Sequence, residues 1–512
     1  MVKAVGGSGG ESSAQKLLAQ TSHYSLASLL TLVGGAMTFP LLTRVFSVQE
    51  YGVMSLIGAT VLVGGTLGKT GLQHAVSRYF TEIATGKNRF SLRQLYATTI
   101  LGMAATSTLV MVCLMLGSRI VPARWILNDG VRGLLFIASF LVVTQVMESA
   151  LTNLLRADQK SVALMKFQVL KKYFALGCLF GGILLVSRSL RVFYLATLVS
   201  DVTSIALLAA ALFRAEPDAR PSRAAFSSAL YRRLLAYGLP MTFGYELAGL
   251  ILNFGDRYVI KAVIGEAQLG LYAASYNLCQ YIQSVFISSI GAAIGPITNR
   301  MFDEEGPETT AEFCRQSLRD YVLITLPVVA GLASVGGELL PSLASSRYIS
   351  GTTIIPWVIA GMAVDGAASI VGTGLFLYKK TVIIMLCVAG SAVANVLCNL
   401  FLVPRLGILG AAISTLVSYG LVFVTFHWGA RRYLPVRLPW GTALRAGAAS
   451  LIMYGALMFL VPGRRFVTVG VRAVVGAVLY VGLISAIDLD GRRLAVVGLR
   501  KLRARLGRFA PR

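Results

Sequence analysis

Charged residues are scarce in this chain: Asp, Glu, Lys and Arg make up only 13% of its 512 residues, whereas soluble domains carry about 25%. Hydrophobic residues make up 56%, and the mean hydropathy is +0.72. The apolar runs are about 20 residues long and do not alternate in the ten-residue pattern of membrane barrels. The sequence therefore predicts an all-α polytopic membrane protein.

Residues and segments that carry chemistry are also few. The chain has three histidines and six cysteines, and no cysteine lies within four residues of another, so neither a metal site nor a disulfide framework is indicated. The single Asp-x-Asp motif, Asp488-Leu489-Asp490, only closes the last apolar run, and no Gly-rich phosphate loop is present. Without a large loop, a glycosyltransferase or an ATP-driven pump has no place for its chemistry. We expect no enzyme activity, no metal and no cofactor.

Fourteen apolar runs have the length that a bilayer requires. They are Tyr24–Leu42, Val53–Gly71, Leu95–Leu116, Val131–Leu154, Ser161–Val186, Val192–Phe213, Ala236–Val259, Leu271–Ile294, Val322–Leu343, Ile354–Tyr378, Thr381–Val403, Leu409–Trp428, Ala443–Val461 and Phe466–Ile487.

The net charge of +25 follows the topology of these runs, because Lys and Arg concentrate in the short loops at one side. The positive-inside rule then predicts that both termini are cytoplasmic. The excess therefore does not indicate nucleic acid. Residues 1–20 are polar and rich in Gly and Ser, and no small-residue cleavage site follows the first apolar run, so we expect no removable signal peptide. The basic tail 488–512 is expected to lie on anionic headgroups.

A weak internal repeat divides the chain into two halves. Residues 196–200, Ala-Thr-Leu-Val-Ser, match residues 414–418, Ser-Thr-Leu-Val-Ser, and other short matches share nearly the same spacing. Chance similarity in a Leu/Val/Ala-rich chain is the alternative. We expect two pseudo-symmetric six-helix lobes at 1–215 and 216–432, an extra helix pair at 433–487 and a basic cytoplasmic tail at 488–512. Parallel lobes of this kind would enclose a cavity between them.

Several ionisable residues lie near the middle of predicted spans, where each costs about 2.5–3.5 kcal/mol on insertion scales. They are Lys171, Lys172, Asp201, Glu246 and Asp365. Adjacent lysines differ by about 100° around a helix, so one can pair with Asp201 while the other faces a cavity. A structural ion pair and a substrate role remain equally open. Lys69 and Glu148 both lie nearer the inner side, and for them too a structural pair and a functional role are equally open. Pro240 is expected to bend the seventh span.

Three segments resemble the polysaccharide (O-antigen type) flippase family of the multidrug/oligosaccharidyl-lipid/polysaccharide exporter superfamily. They are Pro40–Gly52, Gly255–Tyr272 and Gly407–Ala412, and the resemblance covers about residues 15–430. The family implies a two-lobe transporter that moves undecaprenyl-pyrophosphate-linked oligosaccharide from the inner to the outer leaflet of a bacterial cytoplasmic membrane. It also implies a cationic cavity. The acidic residues within the spans of this chain depart from that pattern.

The resemblance assigns expected roles to residues of this chain. The pyrophosphate would be attracted by Arg44, Arg78, Lys171, Lys172 and Arg257, since arginine binds phosphate through parallel hydrogen bonds. Sugar would contact Tyr245, Tyr272 and Tyr276. Coupling to an ion gradient would use Asp201, Glu246 or Asp365. The partners implied are lipid-linked oligosaccharide, membrane lipids and other polysaccharide-assembly proteins.

Other function classes remain open at this point. A multidrug or cation exporter of the same superfamily would need an acidic cavity. A membrane enzyme of polysaccharide assembly would usually need a large outer loop, which the sequence lacks. The sequence does not exclude a scaffold of envelope assembly.

Overall fold

A computed structural model describes residues 30–31, 33–35, 37–120, 129–286, 288–460 and 466–487, and within these ranges the chain is helical with short turns and no strand. Residues 37–45 are helical and precede the first complete helix. The helices are α1 (Val48–Lys69), α2 (Leu72–Ala84), α3 (Leu92–Ile120), α4 (Asp129–Ala157), α5 (Ser161–Leu185), α6 (Leu190–Ala215), α7 (Ser228–Met241), α8 (Leu247–Ile264), α9 (Glu266–Phe286), α10 (Ser288–Glu304), α11 (Pro307–Leu343), α12 (Ile355–Val371), α13 (Thr373–Leu377), α14 (Thr381–Leu406), α15 (Ile408–Ala430), α16 (Trp440–Leu460) and α17 (Phe466–Ile487).

Twelve helical segments in the described part are long and apolar enough to cross a membrane, and each matches one of the predicted spans. Within the predicted first span, Tyr24–Leu42, positions 24–29, 32 and 36 lie outside the described residues, and the described positions are helical. The predicted eighth span, Leu271–Ile294, is shared by α9 and α10, which flank position 287. The prediction of an all-α polytopic membrane protein is confirmed. The basic tail and the Asp488-Leu489-Asp490 motif lie outside the described residues.

Local sequence sets where the helices begin and end. Ser47 and Glu50 form a capping box at the start of α1: the Glu50 amide donates to Ser47 Oγ at 3.1 Å, and the Ser47 amide donates to Glu50 Oε2 at 2.8 Å. Gly407, with φ of +60°, lies between α14 and α15, and only glycine adopts this conformation without strain. The capping box gives hydrogen-bond partners to backbone groups that a helix end leaves without them, and Gly407 redirects the backbone from one helix to the next.

The chain divides into two compact units, the first ending at Leu250 and the second beginning at Ile251. In the first unit, one apolar cluster includes Leu72, Met103 and Leu151, and another includes Phe46, Ile57 and Val142. This division by contacts does not test a duplication, so the lobe and helix-pair boundaries at 215, 432 and 487 stay predictions.

In the second unit, the helix pair α16 and α17 packs on α11. Leu323 of α11 meets Met453 and Leu457 of α16 and Ile484 of α17, all at most 4% exposed. The hydroxyl of Tyr480 in α17 also donates to the Leu323 carbonyl at 2.7 Å. The pair is therefore an integral part of the second unit.

Two membrane-length segments, Val48–Ala84 and Ser228–Ile264, are each interrupted within the first unit, and the interruptions lie close to one another. Thr70 and Gly71 adopt left-handed conformations between α1 and α2, with φ of 48° and 76°. A Cβ on Gly71 would lie 2.0 Å from the carbonyl oxygen of Gly238 in α7, so glycine alone permits this backbone contact. Pro240 follows, and Thr242–Glu246 then form a π-helical turn before α8 begins. The expected irregularity near Pro240 is present.

Candidate functional site

Lys171 lies at the centre of a charged cluster in the first unit. Its ammonium group donates to Glu148 Oε2 of α4 at 2.5 Å and lies 3.0 Å from Asp201 Oδ1 of α6. The hydroxyl of Thr144 donates to Asp201 Oδ2 at 3.3 Å. The predicted pairing of one lysine with Asp201 is therefore present. Glu148 pairs with Lys171, so the alternative pairing of Glu148 with Lys69 is wrong.

The ammonium group of Lys172 has different surroundings from that of Lys171. Within the described ranges its ammonium group has no ion-pair partner, and its stem lies so close to Gly34 that a Cβ added there would approach Lys172 Cγ to 2.8 Å. Two carboxylates neutralise Lys171, whereas Lys172 keeps an uncompensated positive charge. Arg44, another predicted phosphate ligand, is exposed at the end of the helical residues 37–45.

Glu246 joins the two interrupted segments of the first unit. Gln73 Nε2 of α2 donates to both of its carboxylate oxygens, at 3.1 and 3.0 Å, and His74 Nε2 lies 2.8 Å from Oε1. The side chain of Glu246 is 26% exposed and that of His74 is 39% exposed. The neighbouring Tyr245 is 45% exposed. This carboxylate has hydrogen-bond partners on α2 and remains partly exposed.

Two exposed arginines flank a pair of tyrosines in the first unit. The guanidinium of Arg78 lies 5.1 Å from the ring centroid of Tyr237, and that of Arg233 lies 4.9 Å from the centroid of Tyr79. The two rings meet edge to face with centroids 6.1 Å apart. Sequence reasoning identified Arg78 but assigned Arg233 only to the positive-inside bias. Its spacing of four residues from Tyr237 on α7 was the available signal.

The second unit buries the pair Asp256 and Arg257 inside α8. Asp256 is 1% exposed, and it accepts a hydrogen bond from the hydroxyl of Tyr272. Arg257 is 5% exposed, and its guanidinium lies 4.4 Å from the ring centroid of Phe254 and 5.6 Å from that of Tyr276. A phosphate at Arg257 would require the surrounding helices to move apart, so that assignment stays a prediction.

Tyrosines fill the space around this buried pair. Tyr272 and Tyr276 are both at most 1% exposed, and their ring centroids are 5.8 Å apart. The hydroxyl of Tyr419 donates to Asn253 Oδ1 at 2.6 Å. Asp365 of α12 is partly exposed, and in the described part of the chain its carboxylate accepts no hydrogen bond. Sugar contacts of the two buried tyrosines therefore also remain predictions.

A further ion pair within the second unit was not anticipated. Arg472 of α17 is 5% exposed and donates to the Ser334 carbonyl at 2.8 Å and to Glu338 Oε1 at 3.1 Å. An arginine inside the apolar run 466–487 was the signal that could have found it. Across the ranges that the structure describes, no group of three or more His, Cys, Asp or Glu residues is arranged to hold a metal ion.

Comparison with known proteins identifies the family. A family model described as polysaccharide biosynthesis protein matches residues 41–352, more than half of the chain. The chain belongs to the polysaccharide biosynthesis protein family. A Shigella flexneri protein that carries the name O-antigen transporter is 26% identical to this family member over 247 residues, which are 46% of this chain and 57% of that protein.

Solved structures define the fold of this polysaccharide biosynthesis protein family member. The lipid II flippase MurJ in its inward closed conformation superposes with a TM-score of 0.74 and 12% identity, covering 91% of this chain and 99% of that one. A multidrug resistance MATE family transporter of the MOP superfamily, in its inward-facing conformation, gives 0.57 and 17%, covering 79% and 94%. The fold and the family expected from the sequence are confirmed. The chain spans about half the length of the curated relatives it matches.

Proposed function

We propose that this protein moves undecaprenyl-pyrophosphate-linked oligosaccharide repeat units from the inner to the outer leaflet of a bacterial cytoplasmic membrane by alternating access, with both termini cytoplasmic. Family membership and the name of the Shigella flexneri relative support the substrate class. The likeness to MurJ supports a fold suited to membrane transport.

The proposal rests on one observation: some charged side chains of the first unit have ion-pair or hydrogen-bond partners, and others have no oppositely charged partner. The acids Glu148 and Asp201 share Lys171, and Glu246 accepts hydrogen bonds from Gln73. The basic groups Lys172, Arg78 and Arg233, in contrast, have no carboxylate within salt-bridge distance among the described residues. An anion therefore finds free positive charge at Lys172, Arg78 and Arg233, whereas Glu148, Asp201 and Glu246 already have partners.

Each free basic group suits a different part of the headgroup. Arg78 and Arg233 can form parallel hydrogen bonds to phosphate oxygens while their planes remain against Tyr237 and Tyr79. Lys172 offers a point charge with freely rotating donors. Lys171 contributes structure rather than phosphate binding in this proposal, because its charge is already matched.

The test is complementation of a strain that lacks the gene, with export of surface polysaccharide measured as a rate after a pulse of labelled sugar. Hydrogen bonds to charged groups contribute about 1.5–3 kcal/mol, so Arg78→Gln/Arg233→Gln should lower the export rate at least about tenfold. Lys172→Gln should produce a similar loss. Protein amounts in the membrane are matched by immunoblotting.

Arg214→Gln/Arg232→Gln is the charge-matched control, since both arginines are exposed on neighbouring helices of the same unit. This variant should export at the wild-type rate. Equal losses in both double variants would assign the effect to surface charge, and normal export in the test variant would remove these arginines from the substrate site. Normal export by the deletion strain itself would overturn the proposed function.

A second candidate function, export of drugs or other cations, is favoured by Asp365. Asp365 is partly exposed as a residue, and in the described part of the second unit no group donates a hydrogen bond to its carboxylate, so a cation or a proton that entered here would find the carboxylate without a protein donor. Drug-resistance profiling of an overexpressing strain separates the candidates. Resistance that Asp365→Asn abolishes would support drug export, whereas unchanged resistance together with reduced polysaccharide export would assign Asp365 to ion coupling.

A further inference from the structure

The segment between α15 and α16 borders a basic pocket of about 750 Å³ in the second unit. His427 and Arg431 line it from one side, Arg437 from another, and Trp428 and Trp440 stand at its edges. The remaining lining is apolar, and the pocket contains no Asp or Glu. Its charge therefore suits an anion, and its rings suit the boundary between headgroups and acyl chains.

The segment that carries Arg437 is held in place before any ligand binds. Leu434 is 1% exposed and Val436 is 4% exposed, so alternate residues anchor the segment in the protein. Leu434 packs so closely on Gly374 that a Cβ there would lie 2.6 Å from Leu434 Cβ. Pro435 and Pro439 further restrict the backbone. Arg437 consequently projects from a fixed position, which lowers the entropy lost on binding.

The two arginines retain most of their donors. Arg431 Nε donates to His427 Nε2 at 3.4 Å, which leaves its terminal nitrogens available. Arg437 forms no ion pair with any described residue. On the other side of the same segment, a second pocket contains Glu308, Glu312 and Arg315, and Arg315 is paired with Glu312 at 2.5 Å. Arg437 lines both pockets, whereas Arg431 lines the one beside α15.

An apolar stripe leads from this pocket along the surface of α15. Val417, Leu421, Val424 and Trp428 recur at helical spacing and are 51%, 37%, 60% and 72% exposed. A free phosphate ion would use only the arginines, whereas a phospholipid would use the arginines and the stripe. The combination favours a lipid.

We propose that the pocket between α15 and the segment 431–440 binds the headgroup phosphate of an anionic phospholipid, with Arg431 and Arg437 as its ligands and the acyl chains along the exposed stripe of α15. This site is separate from the basic groups assigned to the oligosaccharide substrate. The proposal does not depend on what the protein transports.

Fluorescence can test the site directly, because the chain has four tryptophans. In a Trp125→Phe/Trp357→Phe background, Trp428 and Trp440 are the reporters. The full-length protein is reconstituted in phosphatidylcholine vesicles, and phosphatidylglycerol with brominated acyl chains is titrated in as a quencher. Brominated phosphatidylcholine measures the preference for the anionic headgroup. The expected preference is about tenfold, or about 1.4 kcal/mol.

Arg431→Gln/Arg437→Gln should abolish the preference for phosphatidylglycerol. Arg437→Gln alone, which removes no hydrogen bond or ion pair to any residue that the structure describes, should reduce it. The charge-matched control Arg315→Gln/Arg432→Gln should retain it. Salt of about 1 M, where the Debye length is about 3 Å, should weaken diffuse attraction more than direct contact.

Three results would overturn the proposal. The first is equal quenching by both lipids in the wild-type protein. The second is an equal loss in the charge-matched control, which would indicate diffuse surface charge only. The third is complete competition by inorganic phosphate, which would indicate a free-anion site without a lipid.

Discussion

Replacing Lys171 with methionine tests whether the charged cluster of the first unit is structural. Methionine keeps much of the side-chain length but removes the group that lies 2.5 Å from Glu148 and 3.0 Å from Asp201. The variant leaves Glu148 without this donor and leaves Asp201 with Thr144 alone at 3.3 Å. We expect a large loss of stability.

The size of this stability loss can be worked out from the distances within the cluster. Both carboxylate oxygens lie against the same nitrogen, at 2.5 and 3.0 Å, so two unit charges would remain at most about 5.5 Å apart, and at an effective dielectric constant of about 20 they repel by at least about 3 kcal/mol. Removing one partner of a buried ion pair typically costs about 3–5 kcal/mol. For a unit of about 250 residues, a loss of about 3 kcal/mol lowers the apparent Tm by about 6–12 °C.

The assay is thermal unfolding of the purified protein in detergent at a fixed scan rate, since membrane proteins commonly unfold irreversibly. Lys172→Met is the matched control and should shift the apparent Tm little, because Lys172 has no ion-pair partner in the described part of the chain. Lys171→Met/Glu148→Gln/Asp201→Asn should recover much of the loss, because it removes the stranded charges. Equal melting of Lys171→Met and the wild-type protein would refute the structural assignment.

Two further predictions concern the first unit. Gly238→Ala should lower the apparent Tm and weaken the contact with Gly71, because the Gly71 carbonyl carbon would lie 2.6 Å from the new Cβ. Gly249→Ala is the control, since there is open space around the Cβ at that position. Equal Tm shifts in the two variants would contradict the argument. Burial raises the pKa of Glu216, but hydrogen bonds from Lys160 and Tyr96 outweigh it and hold that pKa below its ordinary value of 4.5. The stabilisation is therefore present above that value and lost as the pH falls through the lowered pKa, so the Tm deficit of Glu216→Gln should disappear in acid. A deficit that persists there would contradict this linkage.

The sequence predicted the spans because bilayer thickness imposes a length that apolar runs must match. It also offered, as one of two equally open readings, a pair between a lysine of the fifth span and Asp201 of the sixth, since consecutive helices are commonly neighbours. It did not predict that Glu148 would join the same lysine. That pairing depends on the rotation of α4 about its axis, which packing against other helices determines.

Residues of the candidate site were harder to predict than the fold for the same reason. Arg257 and Tyr276 were expected to face a substrate, yet they contact each other in a buried cluster. Their residue types suit phosphate and sugar, but residue type does not define exposure. Arg233 was passed over because an arginine near a span end has an ordinary topological explanation, and only its stacking on Tyr79 distinguishes it from Arg232.

The interrupted helices of the first unit give Glu246 a mechanical as well as an electrostatic role. Breaks in membrane helices expose backbone groups, which persist only where protein or water satisfies them. Here the backbones meet at Gly71 and Gly238, and Glu246 ties the same two segments together through Gln73 and His74. Any movement that separates the segments must strip the carboxylate of these donors. A proton on Glu246 would remove the charge and with it most of the cost of separation. We propose that proton binding at this position and movement of these segments are linked energetically, which would make Glu246 the carboxylate in this unit best suited to couple an ion to a conformational change.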